Sequence, residues 1–236
     1  FERDFDIISI LPASPLTPGK TDSLEIEYEG TINESFCYPD RTDKLRDDEY
    51  RIEMLSVGKR QAFVTGEYVL LTPETHWYPV AGLNHYPSNP ARGRVDFIRF
   101  TLRATTSAPG MVVVSQGKME KDGDTFCYSP PSPLTGLTVA IGDYRSESLT
   151  VDSVEFITWY YPGHDYYKKD LNMLGDTLSY LVTGLMRELE TNFSTPYPFK
   201  TLSLVEVPVQ FQSLPKKSTQ TRAEVQPSLI LLPERL

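Results

Sequence analysis

VEFITWYYPGHDYYKKDLNMLGDTLSYLVTGLMRELETN, residues 154–192, holds the point at which this chain changes character. Val154–Tyr161 reads as a strand, with Val154, Phe156, Thr158 and Tyr160 on one side. Pro162-Gly163 then breaks the pattern. From Asp170 onward, Leu171, Leu174, Leu178, Leu181, Leu185 and Leu189 recur at three- and four-residue steps, which predicts one amphipathic helix from Asp170 to Thr191. Asp170 suits the positive end of the helix dipole, and Asn192 with Pro196 and Pro198 stops the run. A boundary is therefore expected at Pro162-Gly163, dividing the chain into residues 1–161 and 162–236.

Upstream of that boundary the chain reads as β. Leu24-Glu25-Ile26-Glu27-Tyr28-Glu29 alternates apolar and charged residues, the pattern of a strand with one buried face. Phe63-Val64-Thr65 and Tyr68–Leu71 resume strand character after the charged stretch from Asp40 to Glu53, which reads as a solvated loop. Val95–Arg103 alternates too, but its phase slips between Phe97 and Ile98, suggesting a β-bulge. Met111–Val114 and Leu137–Ile141 are continuous apolar runs bounded by Gly and Pro, as expected of strands buried on both faces. Such spacing predicts an antiparallel sandwich or saddle-shaped sheet. Downstream of the helix come a strand at Leu202–Val207, a polar loop at Gln212–Arg222 and a last strand at Leu229–Leu232.

The bulk numbers restrict function. With 39% hydrophobic and 23% charged residues, the 236-residue chain has the composition of an ordinary globular protein. A net charge of −9 with scattered Lys and Arg argues against a nucleic-acid partner and against an anionic membrane surface. No apolar run approaches the roughly 18 residues needed to span a bilayer, so no direct membrane insertion by this segment is expected. A start at Phe1 without Met and an end soon after Leu229–Leu232 suggest a piece of a longer chain.

Catalytic signatures are missing. His76, His85 and His164 do not include a pair one helical turn apart, so no helical zinc site can be drawn. There is no G-x-S-x-G elbow, no phosphate-binding glycine loop and no C-x-x-C. Cys37 and Cys127 are compatible with one disulfide or with two buried thiols, and their spacing does not choose. In His76-Trp77-Tyr78-Pro79, Trp77 reads as a core anchor with its N–H bonded to backbone, rather than as an aromatic ledge for a ligand.

Several segments, in order, resemble the aminopeptidase N-like gluzincin zinc metallopeptidases. These are TPETHWYPVAG (residues 72–82), RVDFIRFTLRATTSAPGMVVVSQG (94–117, ending in Ser115-Gln116-Gly117), LTGLTVAIGDYRS (134–146) and PYPFKTLSLVEVP (196–208). The resemblance implies a mostly β chain: a saddle-like antiparallel β-sandwich domain over 1–161, followed by a partial α+β, thermolysin-like segment over 162–236. It also implies that zinc, if present, belongs to the full-length parent and not to this chain, which by itself is expected to be no enzyme. The family's substrate strand, with a Glu that holds a peptide's amino terminus, aligns with Ala223, Glu224, Val225 and Gln226. Aligned on Pro227, the family's Glu falls on Val225 and its Asn on Gln226; Glu224 could replace it only after a one-residue shift, which turns it to the other face.

The expected role is thus a non-catalytic front wall of a peptide-binding cleft. The alternative is a catalytically degenerate scaffold on the extracytoplasmic side of a membrane transporter-type protein. The partners implied are the remainder of the parent catalytic domain, a peptide, and a second copy through the leucine helix. Leu174, Leu178, Leu181 and Leu185 are expected to be covered by dimerisation or by docking onto the β domain.

Overall fold

The computed structural model describes residues 2–4, 7–12, 14–31, 62–75, 77–80, 97–163, 169, 173–208, 211 and 224–233. The protein is mostly β, with one regular α-helix among the described residues. It falls into two compact units, Phe1–Ile32 with Val80–Arg94, and Asn33–Pro79 with Val95–Leu236.

In the first unit, β1 (Glu2–Asp4) and β2 (Ile7–Ser9) form a short antiparallel hairpin. The strand expected at Leu24–Glu29 does not form. That stretch has no regular secondary structure, and Leu24, Ile26 and Tyr28 are exposed. Alternation specifies a face, but a strand also needs a neighbouring strand to take its N–H and C=O groups, and no described strand forms a ladder with this one.

The described residues of the second unit form three sheets. The first is antiparallel and contains β3 (Phe63–Val64), β4 (Val69–Leu71), β6 (Val112–Ser115) and β9 (Val139–Gly142) in the order β3-β4-β9-β6. The second has β5 (Leu102–Thr105), β7 (Met119–Asp122) and β8 (Thr125–Tyr128) in the order β5-β8-β7. The third holds β10 (Arg145–Val151), β11 (Val154–Tyr160), β12 (Thr201–Val207), β13 (Glu224–Gln226) and β14 (Leu229–Pro233) in the order β10-β11-β12-β14-β13. This last sheet is mixed. β11 and β14 each run parallel to β12, while the outer pairs are antiparallel. Strands from both sides of Pro162-Gly163 share it.

β6 and β9 form the centre, buried on both faces as their continuous apolar runs predicted. Val113 and Val139 pack with Phe126 and Tyr128 of the three-stranded sheet. Val114 and Ala140, one residue out of phase, pack with Trp159, Val205, Leu229 and Leu231 of the mixed sheet. Val205 and Leu231 are fully buried, and each such side chain contributes about 2 kcal/mol by leaving water.

Two local expectations change. Residues 97–101 do not continue β5; Ile98 makes a lone bridge to Leu134 (N–H to O 2.8 and 2.9 Å), so the phase slip marks an interruption of the ladder and not a bulge. β11 forms as expected, and it is the side opposite Val154, Phe156, Thr158 and Tyr160, namely Ile157 and Trp159 continuing to Tyr161, that joins the larger core cluster. The helix, α1, is Asp176–Phe193; Lys169, Met173 and Leu174 ahead of it are helical too, so the run predicted from Asp170 is interrupted at Gly175, whose positive φ of 51° a right-handed helix cannot contain. It ends where predicted: Ser194, at φ 51°, turns its N–H back to Glu190 and Thr191. Trp77 donates its indole N–H to the Leu137 carbonyl at 3.3 Å as expected, but it is half-buried, packed against the core cluster of Val113, Phe126, Tyr128 and Val139 rather than inside it.

Candidate functional site

The stretch singled out in the sequence lies on β13, the outer strand of the mixed sheet. Glu224, Val225 and Gln226 pair with Leu231, Ile230 and Leu229 of β14. Ala223 and the predicted loop Gln212–Arg222 fall outside the described residues, as do the side chains of Glu224 and Val225. Pro227 and Ser228 join the two strands. Pro fixes the first turn position, and Ser228 takes φ 59° at the second, the signature of a type II turn with Ser where Gly is usual. In a two-residue hairpin the pair flanking the turn, Gln226 with Leu229, is the hydrogen-bonded one. The next pair is not, so the N–H and C=O of Val225 point away from β14, off an edge that no described strand covers.

Gln226 is brought to a buried polar seam that joins this hairpin to the central sheet. Its side-chain oxygen accepts from Gln116 Nε2 at 3.0 Å and from the Thr138 hydroxyl. Gln116, at 1% exposure, is fully engaged: Nε2 also donates to the Gly136 carbonyl at 3.1 Å, and Oε1 accepts from the Thr138 N–H at 3.0 Å. The Ser115 hydroxyl donates to the Thr138 carbonyl at 2.7 Å. Ser228 completes the seam, its Oγ accepting from the Gly117 N–H at 2.9 Å and its carbonyl from the Ser203 N–H at 3.0 Å. Gln226 is therefore a positioning residue. Gln116, Thr138 and Ser228 are the members sequence reading missed, although Ser115-Gln116-Gly117 stood in a quoted motif; a polar turn triplet reads as solvated until the fold covers it.

A second buried polar cluster lies on the neighbouring strands. Glu206 of β12 is 1% exposed, and its Oε2 accepts from the Tyr161 N–H at 2.9 Å. Tyr144 donates to the Glu206 main-chain carbonyl at 2.8 Å and lies 3.2 Å from the Tyr68 hydroxyl. The rings of Tyr68, Tyr144 and Tyr161 meet edge-on or tilted with centroids 4.9–6.3 Å apart. Burial first, then the adjacent Tyr68, Tyr161 and Glu206, hold the Tyr144 hydroxyl well above the usual tyrosine range.

Other features carry less chemistry. A cavity of about 260 Å³ is lined by Thr65, Glu67, Tyr68, Thr106 and Met111, but the Thr65 and Thr106 hydroxyls are engaged with the backbone of their own turns. Cys127 is a free, half-buried thiol, and Cys37 lies outside the described residues. Among the described residues no three His, Cys, Asp or Glu side chains are grouped to hold a metal ion, and no helix is long and apolar enough to cross a membrane. His76, His85 and His164 fall outside them. Comparison with protein-family models and with the curated proteins finds no match to this chain.

Proposed function

We propose that the β13–β14 hairpin is one wall of a cleft that takes an extended peptide, and that the chain binds the peptide without cutting it. The observation that carries this reading is the outward N–H and C=O of Val225 on the edge of β13 that no described strand covers, backed by a seam that fixes the hairpin. A peptide laid along that edge would add a sixth strand, with main-chain hydrogen bonds supplying affinity. The resemblance to gluzincin peptidases, whose substrate strand aligns here, supports the same use of this edge. It also assigns zinc and the water-activating chemistry to the parent's further residues, with this chain as a non-catalytic wall.

The test is fluorescence anisotropy with labelled, unstructured hexapeptides. The expected result is saturable binding with the peptide recovered intact. Val225→Pro, which removes the outward N–H and leaves the β14 ladder, should abolish it. Absence of saturable binding, or a proline variant that binds like wild type, would overturn the reading.

One observation favours a second reading. Val225 stands where the family has its amine-binding Glu, and the Gln226 side-chain oxygen is committed to Gln116 and Thr138. Both fit a catalytically degenerate scaffold held on the extracytoplasmic side of a transporter-type membrane protein. Metal analysis of the full-length protein separates the two: stoichiometric zinc supports the peptidase wall, and a zinc-free parent supports the scaffold.

A further inference from the structure

Leu24-Glu25-Ile26-Glu27-Tyr28-Glu29 has the pattern of a strand but takes part in no ladder, and the whole stretch is exposed. In an extended chain its three carboxylates fall on one face, about 7 Å apart, with Leu24, Ile26 and Tyr28 on the other. Its complement is a sheet edge with open N–H and C=O groups, cations on one face and apolar side chains on the opposite one.

β5 offers that edge. It is the outer strand of β5-β8-β7, and no described strand covers its far side. Asp122 and Thr125 flank the two-residue turn between β7 and β8, so Thr125 and Cys127 bond to β7, while Phe126 and Tyr128 bond to Ala104 and Leu102. The N–H and C=O of Arg103 therefore point off the edge. Ile98 exchanges both backbone bonds with Leu134, in phase with Leu102, so Arg99 and Thr101 share the outward phase of Arg103. Side chains alternate along the same run: Arg99, Thr101 and Arg103 are exposed, and Phe100, Leu102 and Ala104 are half-buried. Arg99 gives one donor to the Pro131 carbonyl at 3.3 Å and keeps the rest of its fork. Other edges fit worse. β7 carries Glu120 and Asp122, and β10 pairs its Arg145 with Asp143 at 2.6 Å and adds Glu147.

We infer that β5 takes Leu24–Glu29 of a second copy of this chain as an added antiparallel strand. With Glu27 opposite Thr101, Glu25 meets Arg103 and Glu29 meets Arg99 on the exposed face. Ile26 and Tyr28 then lie beside Leu102 and Phe100 on the apolar face. A shift of one residue sets apolar against charged throughout, so the register is specified. The added strand also supplies a ladder for residues 99–101, which have none in the single chain. Within one chain the two segments do not pair, and each copy carries both, so two copies exchange strands reciprocally. The leucine stripe of α1 takes no part: Leu178 is half-buried, and Leu181 and Leu185 stay exposed. The inference does not depend on the peptide reading.

Sedimentation equilibrium over a range of loading concentrations tests it. The expected result is a dimer that weakens as salt is raised. Glu25→Arg/Glu29→Arg and Arg99→Glu/Arg103→Glu should each raise the dissociation constant at least about 10-fold. An equimolar mixture of the two variants should restore the dimer, because each then offers the other an opposite charge. These positions are exposed, so unchanged far-UV circular dichroism should show that both variants fold. In chains carrying Cys37→Ser/Cys127→Ser, Glu27→Cys mixed with Thr101→Cys should give a reducible cross-link, since facing residues lie about 5.5 Å apart. A monomer throughout overturns the inference, as do charge variants that dimerise like wild type or that mixing does not rescue. A cross-link formed within one chain carrying both cysteines, with none between chains, puts the strand on its own β5 and overturns the second copy.

Discussion

Replacing Gln116 by Leu is the most informative perturbation of the seam. The shape is nearly kept, but four hydrogen bonds go: to the Gly136 carbonyl, from the Thr138 N–H, to the Gln226 side chain, and from the Ser115 hydroxyl, which keeps its bond to the Thr138 carbonyl. Two buried backbone groups, Thr138 N–H and Gly136 C=O, lose these partners, and each such loss costs about 1–3 kcal/mol. The expected total is about 3 kcal/mol after partial relaxation. At an m-value of roughly 3 kcal/mol/M this lowers the urea midpoint by about 1 M with the slope unchanged. Trp159, buried and 3.3 Å from the Ser203 hydroxyl, serves as the fluorescence probe. Gln226→Leu should cost less, about 1–2 kcal/mol, because it takes partners from side chains that can turn elsewhere. The double variant should lose about 1 kcal/mol less than the two singles together, since the second replacement removes a partner already orphaned. A loss below about 1 kcal/mol for Gln116→Leu, or single effects that simply add, would refute the reasoning.

Gly142→Ala should destabilise by about 1–3 kcal/mol, because its Cβ would run into the Tyr161 hydroxyl and stand 2.7 Å from Tyr161 Cζ. Adding Tyr161→Phe removes the nearest atom and should recover part of that loss in thermal melts. Stability should fall above about pH 10: the unfolded chain's tyrosines ionise there, while burial holds the Tyr128 and Tyr144 hydroxyls above their usual range in the native state. The native state then binds more protons than the unfolded one. Tyr197, pushed up to about 12 by its burial, is a third such group; three give a slope that approaches about −4 kcal/mol per pH unit once the unfolded tyrosines are ionised, and Tyr144→Phe should remove about a third of it in urea midpoints read from pH 9 to 11.

What the sequence disclosed and what it hid follow from the range of the forces. The period of Leu178, Leu181, Leu185 and Leu189 is local, and α1 forms around it. The unbroken runs in β6 and β9 mark strands covered on both sides, and the packing of Val113 and Val114 onto opposite layers follows directly. Leu24–Glu29 has the right alternation, but whether a strand exists depends on a partner that alternation does not name. β11 has large side chains on both faces, so its pattern cannot say which face meets the core. The parallel pairing of β11, β12 and β14 rests on contacts between distant segments. The seam is the extreme case. Gln116 and Gln226 are 110 residues apart, and neither lies in a periodic pattern. Val225 and Gln226 were located by their alignment with a substrate strand, and the structure places them on a sheet edge, with Gln226 turned to positioning.

The polar character of the seam has a consequence for that edge. β13 is three residues long and pairs on one side with β14. Apolar packing alone would tolerate a shift of two residues, which keeps each side chain on its face but changes the register. Bonds between particular atoms do not tolerate it: with the hairpin displaced, Gln116 Nε2 and the Gly117 N–H lose the partners that Gln226 and Ser228 supply. Such losses inside the protein cost more than the bonds contribute when made, so the network selects one register rather than adding much stability. That register holds the N–H and C=O of Val225 outward. If the edge binds peptide, Gln116→Leu should weaken binding by roughly the fraction of chains whose hairpin leaves the competent register, without touching any group that meets the peptide. The expected signature is reduced affinity together with faster amide exchange at Gln226 and Leu229, the hydrogen-bonded pair of the hairpin. Unchanged affinity alongside faster exchange would separate the register of the hairpin from peptide binding and remove β13 as the binding edge.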